Sequence, residues 1–438
     1  MTPRFLPKYA LETVPRYTSY PPATGFGDVD GESLWAEWMQ ALPPAPRVSL
    51  YLHIPFCKTM CWYCGCNTTI PNKSERIERY LDALTNEIRQ RAQSLPADAQ
   101  VHHIHFGGGS PDMLTPDQFS ALMNEVRSAL PLAKDADIAA ELDPRGVTQA
   151  LARRLGELGF NRASLGVQDL SEEVQTLIHR IQPLSVVQQA VKNLREAGIR
   201  AINTDIMYGL PAQTVDRVEE TAHAVAALSP DRIAVFGYAH VPWFKKHQKA
   251  IPEDRLPGAQ ERFEQMLAAS AVLEAHGYQP VGFDHFAKPD DPIAVRTREG
   301  RLCRNFQGYT DDDYDVLMGL GASSISEAPG GYLQNQPDPA RYAQDRETGM
   351  TSFVRGLQRD SEDRNIAARI ERLMCDFELP LAPGFDPAAV ADMQADGLVN
   401  VERDRLVMPR HARPYVRNLA ARIDPNFMVR DRQHSRAI

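Results

Sequence analysis

Residues 48–64 read Val48-Ser-Leu-Tyr-Leu-His-Ile-Pro-Phe-Cys57-Lys-Thr-Met-Cys61-Trp-Tyr-Cys64, an apolar run that leads directly into three cysteines. A short apolar run bounded by a break is typical of a buried strand. The cysteines fall on the loop that leaves this strand. One stretch therefore predicts both the start of a sheet and a candidate metal-binding loop.

The same pattern recurs along the chain, where short apolar runs alternate with stretches that carry apolar residues at three-to-four spacing. The predicted strands are Val48–Phe56, His103–Phe106, Asp137–Leu142, Arg162–Val167, Ala201–Tyr208 and Arg232–Tyr238. The predicted helices include Glu75–Leu95, Pro116–Ala129, Thr148–Leu158, Glu172–Ile178, Leu184–Ala197 and Thr214–Leu228. Such βα units predict an α/β fold with a parallel sheet, either doubly wound or a partial barrel, and spacing alone does not choose between them.

Composition shifts predict three regions. Residues 1–47 form an N-terminal arm and lead-in, residues 48–330 a catalytic domain, and residues 331–438 a smaller, mainly helical C-terminal domain. The stretch Pro15-Arg16-Tyr-Thr-Ser-Tyr-Pro-Pro22 is too rich in proline for a regular element, so we expect an extended arm laid over the body.

Composition also excludes several classes of protein. The chain has 438 residues, 43% hydrophobic and 24% charged, which is typical of a globular protein. A net charge of −9 without a basic stripe argues against nucleic acid as a partner. No charge-free stretch predicts a membrane span, and the first residues lack the apolar run of a secretory signal, so we expect a cytoplasmic protein.

The cysteine loop has CxxxCxxC spacing at Cys57, Cys61 and Cys64. A structural zinc site usually has a second cysteine pair elsewhere, which this chain lacks. A complete iron–sulfur site takes four ligands, so three thiolates leave one iron open. Cys66 is separated from Cys64 by a single glycine, and we expect it to stay off the cluster and to serve the active site or the structure.

Polar residues gather where the predicted strands end. Gly107 to Gly109 and Ser110 follow the second strand, Glu141 ends the third, Gln168 the fourth, and Asp205 lies in the fifth. Parallel α/β folds bind ligands at the carboxyl ends of their strands, so these residues predict one shared site. Glu141 needs a cationic or hydrogen-bonding partner in its apolar strand.

The sequence from Tyr51 to Asn67 resembles the radical S-adenosylmethionine superfamily, in the branch that contains the oxygen-independent coproporphyrinogen III oxidases. Further family-like motifs extend over nearly the whole chain: Arg16-Tyr-Thr-Ser-Tyr-Pro21, His105-Phe-Gly-Gly-Gly-Ser-Pro111, Gly159-Phe-Asn-Arg162, Gly166-Val-Gln-Asp169, Asp205-Ile-Met-Tyr-Gly-Leu-Pro211, Asp284-His-Phe-Ala287, Arg304-Asn-Phe-Gln-Gly-Tyr309 and Ser435-Arg-Ala-Ile438.

This resemblance implies a partial (β/α)6 barrel and one [4Fe–4S] cluster, held by Cys57, Cys61 and Cys64, with S-adenosylmethionine on the open iron. It also implies two S-adenosylmethionine molecules. The first would contact Tyr51, Gly108 and Glu141. The second would contact Tyr63, Gly109, Ser110, Gln168, Arg180, Asp205, Ala239 and Ile325.

The implied reaction is the oxidative decarboxylation of two propionates of coproporphyrinogen III to vinyl groups, which gives protoporphyrinogen IX in haem biosynthesis. Arginine pairs well with carboxylates, so Arg16, Arg162 and Arg304 are candidates for binding the substrate propionates. The resemblance further implies an electron-donor protein, such as a flavodoxin or ferredoxin, and a monomeric enzyme.

Three alternatives remain open. A haem chaperone of the same branch usually has an acidic-aromatic pair after the last cysteine, where this chain has Gly65 and Cys66, and it lacks the arm at residues 16–21. A radical enzyme that opens or methylates the haem ring would not need the motif at residues 304–309. A zinc-stabilised α/β binding protein without catalysis would be colourless after anaerobic reconstitution with iron.

Overall fold

Six strands that follow one another in the chain are also neighbours in space, and all of them run parallel. The computed structural model describes residues 3–382 and 385–427, so the motif at Ser435–Ile438 lies outside the described residues. The six strands are β1 (Arg47–Ile54), β2 (Gln100–Gly108), β3 (Leu132–Leu142), β4 (Arg162–Gln168), β5 (Ala201–Tyr208) and β6 (Arg232–Gly237).

The six predicted strands are confirmed. Several of their boundaries differ from the predicted ones, most of all in β2, which runs from Gln100 to Gly108, and two of the differences have a clear physical reason. Strand β1 ends at Ile54 because Pro55 has no N–H to donate to the sheet. Strand β3 begins at Leu132, five residues before the predicted start, because a shift in register lets Leu132 pair with Val101.

The remaining strands are β7 (Gln279–Val281), β8 (His285–Ala287), β9 (Cys303–Asn305), β10 (Gly308–Thr310), β11 (Val316–Leu320), β12 (Ile325–Ala328), β13 (Gly331–Asn335), β14 (Phe353–Gln358), β15 (Glu378–Pro380), β16 (Asn400–Val401) and β17 (Arg405–Val407). The main sheet has the order β14-β13-β12-β11-β1-β2-β3-β4-β5-β6-β8-β7 in the described residues. Strand β1 therefore lies between β2 and β11, and both pairings are parallel.

The helices are α1 (Pro7–Ala10), α2 (Gly31–Gln40), α3 (Ser74–Ala92), α4 (Pro116–Ala129), α5 (Gln149–Glu157), α6 (Glu172–Leu177), α7 (Leu184–Glu196), α8 (Val215–Ala227), α9 (Ala259–Ala275), α10 (Pro292–Arg298), α11 (Pro339–Glu347), α12 (Ser361–Asp376), α13 (Ala391–Ala395) and α14 (Val416–Ile423). Within the described residues, none is both long and apolar enough to cross a membrane.

Alternation along the strands separates an apolar outer face from a polar inner face. In β5, Ile202, Ile206 and Tyr208 are buried beneath the helices, whereas Asn203 and Asp205 point to the other side. The inner-facing side chains of β1 to β6 line one cavity of about 250 Å³. A single cavity lined by all six strands means that the sheet is curved, which confirms the predicted partial barrel.

The main sheet continues past residue 330, where the sequence predicts a boundary. Strands β13 and β14 extend the sheet, and α11 packs against α3. A second apolar core is formed mainly by residues from α12 onward, and Tyr9, Val14 and Tyr17 of the N-terminal arm pack into it. The Tyr17 and Tyr20 hydroxyls both donate to the carboxylate of Asp424. We therefore propose a division near residue 360, with the arm packed on the C-terminal part.

The fully buried carboxylate of Glu87, on α3, joins the additional strands to the barrel. It accepts hydrogen bonds from the Gly321 N–H at 2.7 Å, the Asn335 amide at 2.9 Å and the Tyr342 hydroxyl at 2.6 Å, and also from the Ser352 hydroxyl. The Glu87 carboxylate on α3 therefore binds side chains of β13, of α11 and of the residue just before β14.

We expect Glu87→Ala to lower the free energy of unfolding by about 3–5 kcal/mol, because several buried donors lose their acceptor. Urea unfolding followed by circular dichroism measures the change. Glu87→Gln keeps one acceptor oxygen and should lose less. A loss below about 1 kcal/mol for Glu87→Ala would show that this network is not important for stability.

Candidate active site

The two ends of the cysteine loop are joined by hydrogen bonds of its own backbone. The Cys57 N–H donates to the Thr69 carbonyl at 3.0 Å, and the Thr69 N–H donates to the Pro55 carbonyl at 2.8 Å. The Thr68 hydroxyl lies 3.0 Å from the Cys57 sulfur. The loop therefore leaves β1 and returns beside it, so its cysteines lie at the carboxyl ends of the strands.

Two arginines approach the buried Cys61. Arg180 Nη1 lies 3.5 Å from Cys61 Sγ, and Arg145 Nη2 lies 3.9 Å from the same atom. On the outer side of the loop, the Trp62 ring stacks on His179 with the ring centroids 5.1 Å apart. Positive charge beside a thiol favours its ionised form, which is the form that binds metal.

The three predicted ligands are free thiols on the cysteine loop. Cys57, Cys61 and Cys64 are free of disulfides. Burial raises the pKa of Cys57 to about 12, and the nearby Cys64 and Cys61 thiols add to the rise. The three thiols are therefore close together and available as metal ligands.

Cys66 contacts Cys64 instead of adding a fourth position. The Cys66 N–H donates to Cys64 Sγ at 3.4 Å. A hydrogen bond from the Cys66 thiol lowers the pKa of Cys64 to about 6 and raises the pKa of Cys66. Cys66 therefore acts as a hydrogen-bond donor to Cys64, which is compatible with the expectation that Cys66 is not a ligand of the cluster.

The glycines after β2 are required by close packing. A Cβ at Gly109 would lie 2.6 Å from the Phe56 carbonyl oxygen, and one at Gly108 would lie 2.5 Å from the His53 ring. Gly108 also has φ +114°, which residues with a side chain rarely adopt. The Ser110 N–H donates to the Phe56 carbonyl at 2.8 Å. The glycine run therefore brings the end of β2 against the start of the cysteine loop.

Glu141 is held in its ionised form. His105 Nε2 lies 2.9 Å from Glu141 Oε1, and the Gly108 N–H donates to Oε2 at 3.3 Å. Burial raises the pKa of Glu141, but the hydrogen bond and charge of His105, the Gly108 N–H and the charge of His53 together outweigh burial and lower the pKa below its usual value. Tyr51 stacks on His105 with the ring centroids 5.9 Å apart. The carboxylate is therefore ready to accept from a cationic or hydroxyl-bearing ligand.

Strands β4 and β5 and the loop after α6 contribute three more of the predicted residues. Gln168 is buried and has φ +68°, and its Oε1 has no hydrogen-bond partner in the described residues. Arg180 donates to the Gly166 carbonyl at 2.7 Å and to Asp143 at 3.0 Å. Burial, with a smaller contribution from Glu141, raises the pKa of Asp205 to about 7. A buried acceptor without a partner is costly, so Gln168 is suited to a ligand that donates to it.

The other predicted cofactor residues lie around the same edge of the sheet. The Tyr63 and Ala239 carbonyls both accept from the side-chain amide of Gln248, at 2.9 and 3.2 Å. Ser110 is buried and donates to Asp112. Ile325 begins β12 beside Gly319 of β11.

The structure places Arg162 away from the cysteine loop. Arg162 begins β4, at the opposite end from Gln168, which is roughly 20 Å away along a strand of this length. Its guanidinium lies 3.5 Å from Asp137 and 3.1 Å from Asn203. Arg162 is therefore paired inside the barrel floor, and its role toward substrate propionates stays a prediction that these contacts do not support.

Arg16 and Arg304 do lie near each other, and a third arginine joins them. Arg304 donates to the Tyr17 carbonyl, and Arg417 Nε donates to the Pro15 carbonyl at 3.1 Å, so the two hold the arm on either side of Arg16. Burial, with the nearby Arg16 charge, lowers the pKa of Arg417 to about 9. Arg16 is exposed. Arg417 carried no signal in the sequence, because it lies on the short C-terminal helix α14.

His105 is a second residue that the site analysis adds. It lies two positions from His103 on β2, and strand alternation places both on the inner face. That alternation in His102-His103-Ile104-His105 was the signal available in the sequence.

The chain is similar to known proteins over nearly its whole length. Residues 51–225 match the model of the radical SAM superfamily. The chain is 42% identical to an oxygen-independent coproporphyrinogen III oxidase of Bradyrhizobium diazoefficiens, with 98% of each chain covered. It is 38% identical to the protein of that name from Escherichia coli, with 97% of this chain and 96% of the relative covered.

A solved structure shows the same family relationship at the level of the fold. The coproporphyrinogen III oxidase of Escherichia coli, described as a radical SAM enzyme, superposes with a TM-score of 0.89 at 36% identity. The match covers 94% of this chain and all of the other. The family implies a [4Fe–4S] cluster and S-adenosylmethionine. The chain therefore belongs to the oxygen-independent coproporphyrinogen III oxidase family of the radical SAM superfamily.

Proposed function

We propose that this protein removes two propionate carboxyl groups from coproporphyrinogen III and so forms protoporphyrinogen IX. One observation carries the proposal: three free thiols on one loop lie at the strand ends where Glu141 and Gln168 present acceptor oxygens. When bound, the cluster and S-adenosylmethionine would supply a 5′-deoxyadenosyl radical that abstracts a hydrogen atom from a propionate β-carbon. Release of CO2, with transfer of one electron to an external acceptor, would then give the vinyl group.

Cys57, Cys61 and Cys64 would hold the cluster. Arg180 and Arg145 lie beside Cys61 and offset the negative charge of the thiolates. The ionised Glu141 would accept from the cofactor's ammonium or ribose hydroxyls, and the His105 hydrogen bond keeps it charged. Tyr51 and Gly108 complete this first cofactor position. The chain thus supplies both the sulfur ligands and an orienting carboxylate.

A second cofactor molecule belongs to the proposal. Two propionates react, and each reaction consumes one radical. The unpartnered Gln168 oxygen and the raised pKa of Asp205 give a second set of polar groups on β4 and β5, apart from Glu141 on β3. With a pKa of about 7, Asp205 is partly protonated at neutral pH, and in that form it can donate to, as well as accept from, a sugar hydroxyl. Tyr63, Gly109, Ser110, Arg180, Ala239 and Ile325 are the further residues proposed for this position.

The substrate would enter between the arm and the strand ends. Arg16, Arg304 and Arg417 form a group of guanidinium ions that can bind propionates which do not react. The electron donor, a cytoplasmic location and a monomeric state stay predictions. The alternative of a haem chaperone is not favoured, because the relatives that match over nearly the full chain are named as oxidases.

The decisive experiment is an anaerobic assay with reconstituted protein, dithionite, S-adenosylmethionine and coproporphyrinogen III. We expect a product lighter by two CO2 and four hydrogens, because each reacting propionic acid loses CO2, one hydrogen atom and one proton, and we expect two molecules each of methionine and 5′-deoxyadenosine per product. Mass spectrometry identifies all three. Unchanged substrate with tightly bound haem would instead support the chaperone.

Single Cys→Ser variants test the ligand set. We expect Cys57→Ser, Cys61→Ser and Cys64→Ser each to lose the visible absorbance of the cluster and methionine formation, because a hydroxyl is a poor ligand for iron in a cluster. Cys66→Ser should keep wild-type iron content, since its thiol donates to Cys64. Iron and sulfide analysis after reconstitution measures this. Loss of iron in Cys66→Ser would make Cys66 a ligand.

Gln168→Ala tests the second cofactor position. Because one buried acceptor is removed, worth about 1–3 kcal/mol, we expect the second decarboxylation to slow about 10- to 100-fold and the monovinyl intermediate to accumulate. Gln168→Glu has the same left-handed backbone and keeps an acceptor oxygen, so it should retain more activity. Equal slowing of both decarboxylations would contradict a separate position for Gln168.

A further inference from the structure

The loop that follows β6 presents an unusual surface. Residues 241–249 read Val241-Pro-Trp-Phe-Lys-Lys-His-Gln-Lys249, and we call them the 241–249 loop. Trp243 is 62% exposed and Phe244 is 74% exposed, more than any other large hydrophobic residue that the structure describes. Exposed aromatic residues next to charged ones are typical of interaction sites.

The loop is basic on an acidic protein. Lys245, Lys246 and Lys249 lie within five positions, whereas the whole chain has a net charge of −9. Lys246 and Lys249 are exposed. In the described residues, no carboxylate lies within ion-pair distance of these three lysines, and the Lys245 ammonium lies 5.2 Å from the Phe244 ring centroid. The positive charge is therefore available to a partner.

The same loop contacts the cysteine loop directly. The Lys245 ammonium donates to the Cys66 carbonyl at 2.9 Å, and His247 Nε2 lies 2.7 Å from the Cys64 carbonyl oxygen. The Gln248 amide donates to the Tyr63 carbonyl at 2.9 Å. A partner on the 241–249 loop would therefore stand only a few bonds from the ligand Cys64.

A small-molecule substrate is a poor occupant for this surface. Ligand sites are concave and bury most of their ligand. Trp243 and Phe244 project into solvent, and none of the loop residues lines the barrel cavity. Lysine is a strongly hydrated charge on a flexible stem, which suits a weak and transient encounter more than a fixed pocket.

We propose that the 241–249 loop is the docking surface for a small acidic one-electron carrier protein that reduces the cluster. This inference rests on the proposed function, which requires one electron for each radical formed. In the step, the reduced carrier loses one electron and the cluster gains it, without transfer of an atom or a proton. The exposed aromatic pair supplies apolar contact, and the lysines attract the acidic carrier and speed its encounter.

The test compares a protein reductant with a small one. Reduced flavodoxin is the acidic carrier, and dithionite is the small reductant. The variants are Lys246→Glu/Lys249→Glu and Phe244→Ala, which leave all cysteines unchanged. Lys134→Glu is the matched control, because Lys134 is exposed near the amino end of β3, away from the cysteine loop. Stopped-flow bleaching of the reconstituted cluster measures reduction.

We expect the double lysine variant to be reduced by flavodoxin about 10-fold more slowly at low salt, with a weaker dependence on ionic strength than the wild type. Phe244→Ala should also slow this reaction. Dithionite-driven turnover should match the wild type in both variants, and Lys134→Glu should match it with both reductants.

Two results would overturn the docking surface. The first is unchanged reduction by flavodoxin in both variants. The second is a raised KM for coproporphyrinogen III with dithionite, which would assign the loop to the substrate. A wild-type protein whose cluster is reduced but which leaves coproporphyrinogen III unchanged would contradict the proposed function, while the reduction rates would still test the surface.

Discussion

The site depends on one close contact, between the glycine run after β2 and the start of the cysteine loop. Gly109 lies so near Phe56 that no side chain fits between them, and backbone hydrogen bonds from Gly109 and Ser110 reach β1 and Phe56. This contact fixes where the loop begins relative to the neighbouring strands. Strand β1 is paired on both sides, by β2 and β11, so the loop begins at the end of a strand that is held along both edges.

Polar side chains lie along the inner face of the barrel, and they differ between its two ends in whether they are paired. At the amino end, Arg162 and Arg232 are paired with Asp137, Asp291 and Asp311, so their charges are neutralised within the floor. At the carboxyl end, Gln168 keeps an unpartnered oxygen and Glu141 keeps its charge. Satisfied polar groups give stability, whereas unsatisfied ones are available to a ligand.

The N-terminal arm links the site to the C-terminal part of the chain. Arg304 and Arg417 hold the backbone on both sides of Arg16, and Asp424 accepts from two tyrosines of the arm. These contacts join residues between 287 and 407 positions apart, so the arm packs against parts of the protein that are distant from it in the sequence.

Local sequence determined the strands, the helices and the cysteine loop. Alternation, three-to-four spacing and CxxxCxxC spacing are short-range patterns, and each reflects which face of an element meets the core or which thiols can share one cluster. The motifs that follow one another along the chain also indicated the family. Only the tertiary structure decided which polar residues share a place: it separated Arg162 from the cysteines by the length of a strand, brought Arg417 to Arg16, and paired His105 with Glu141. It also carried the sheet past residue 330, because strand pairing depends on partners distant in sequence that no local pattern specifies.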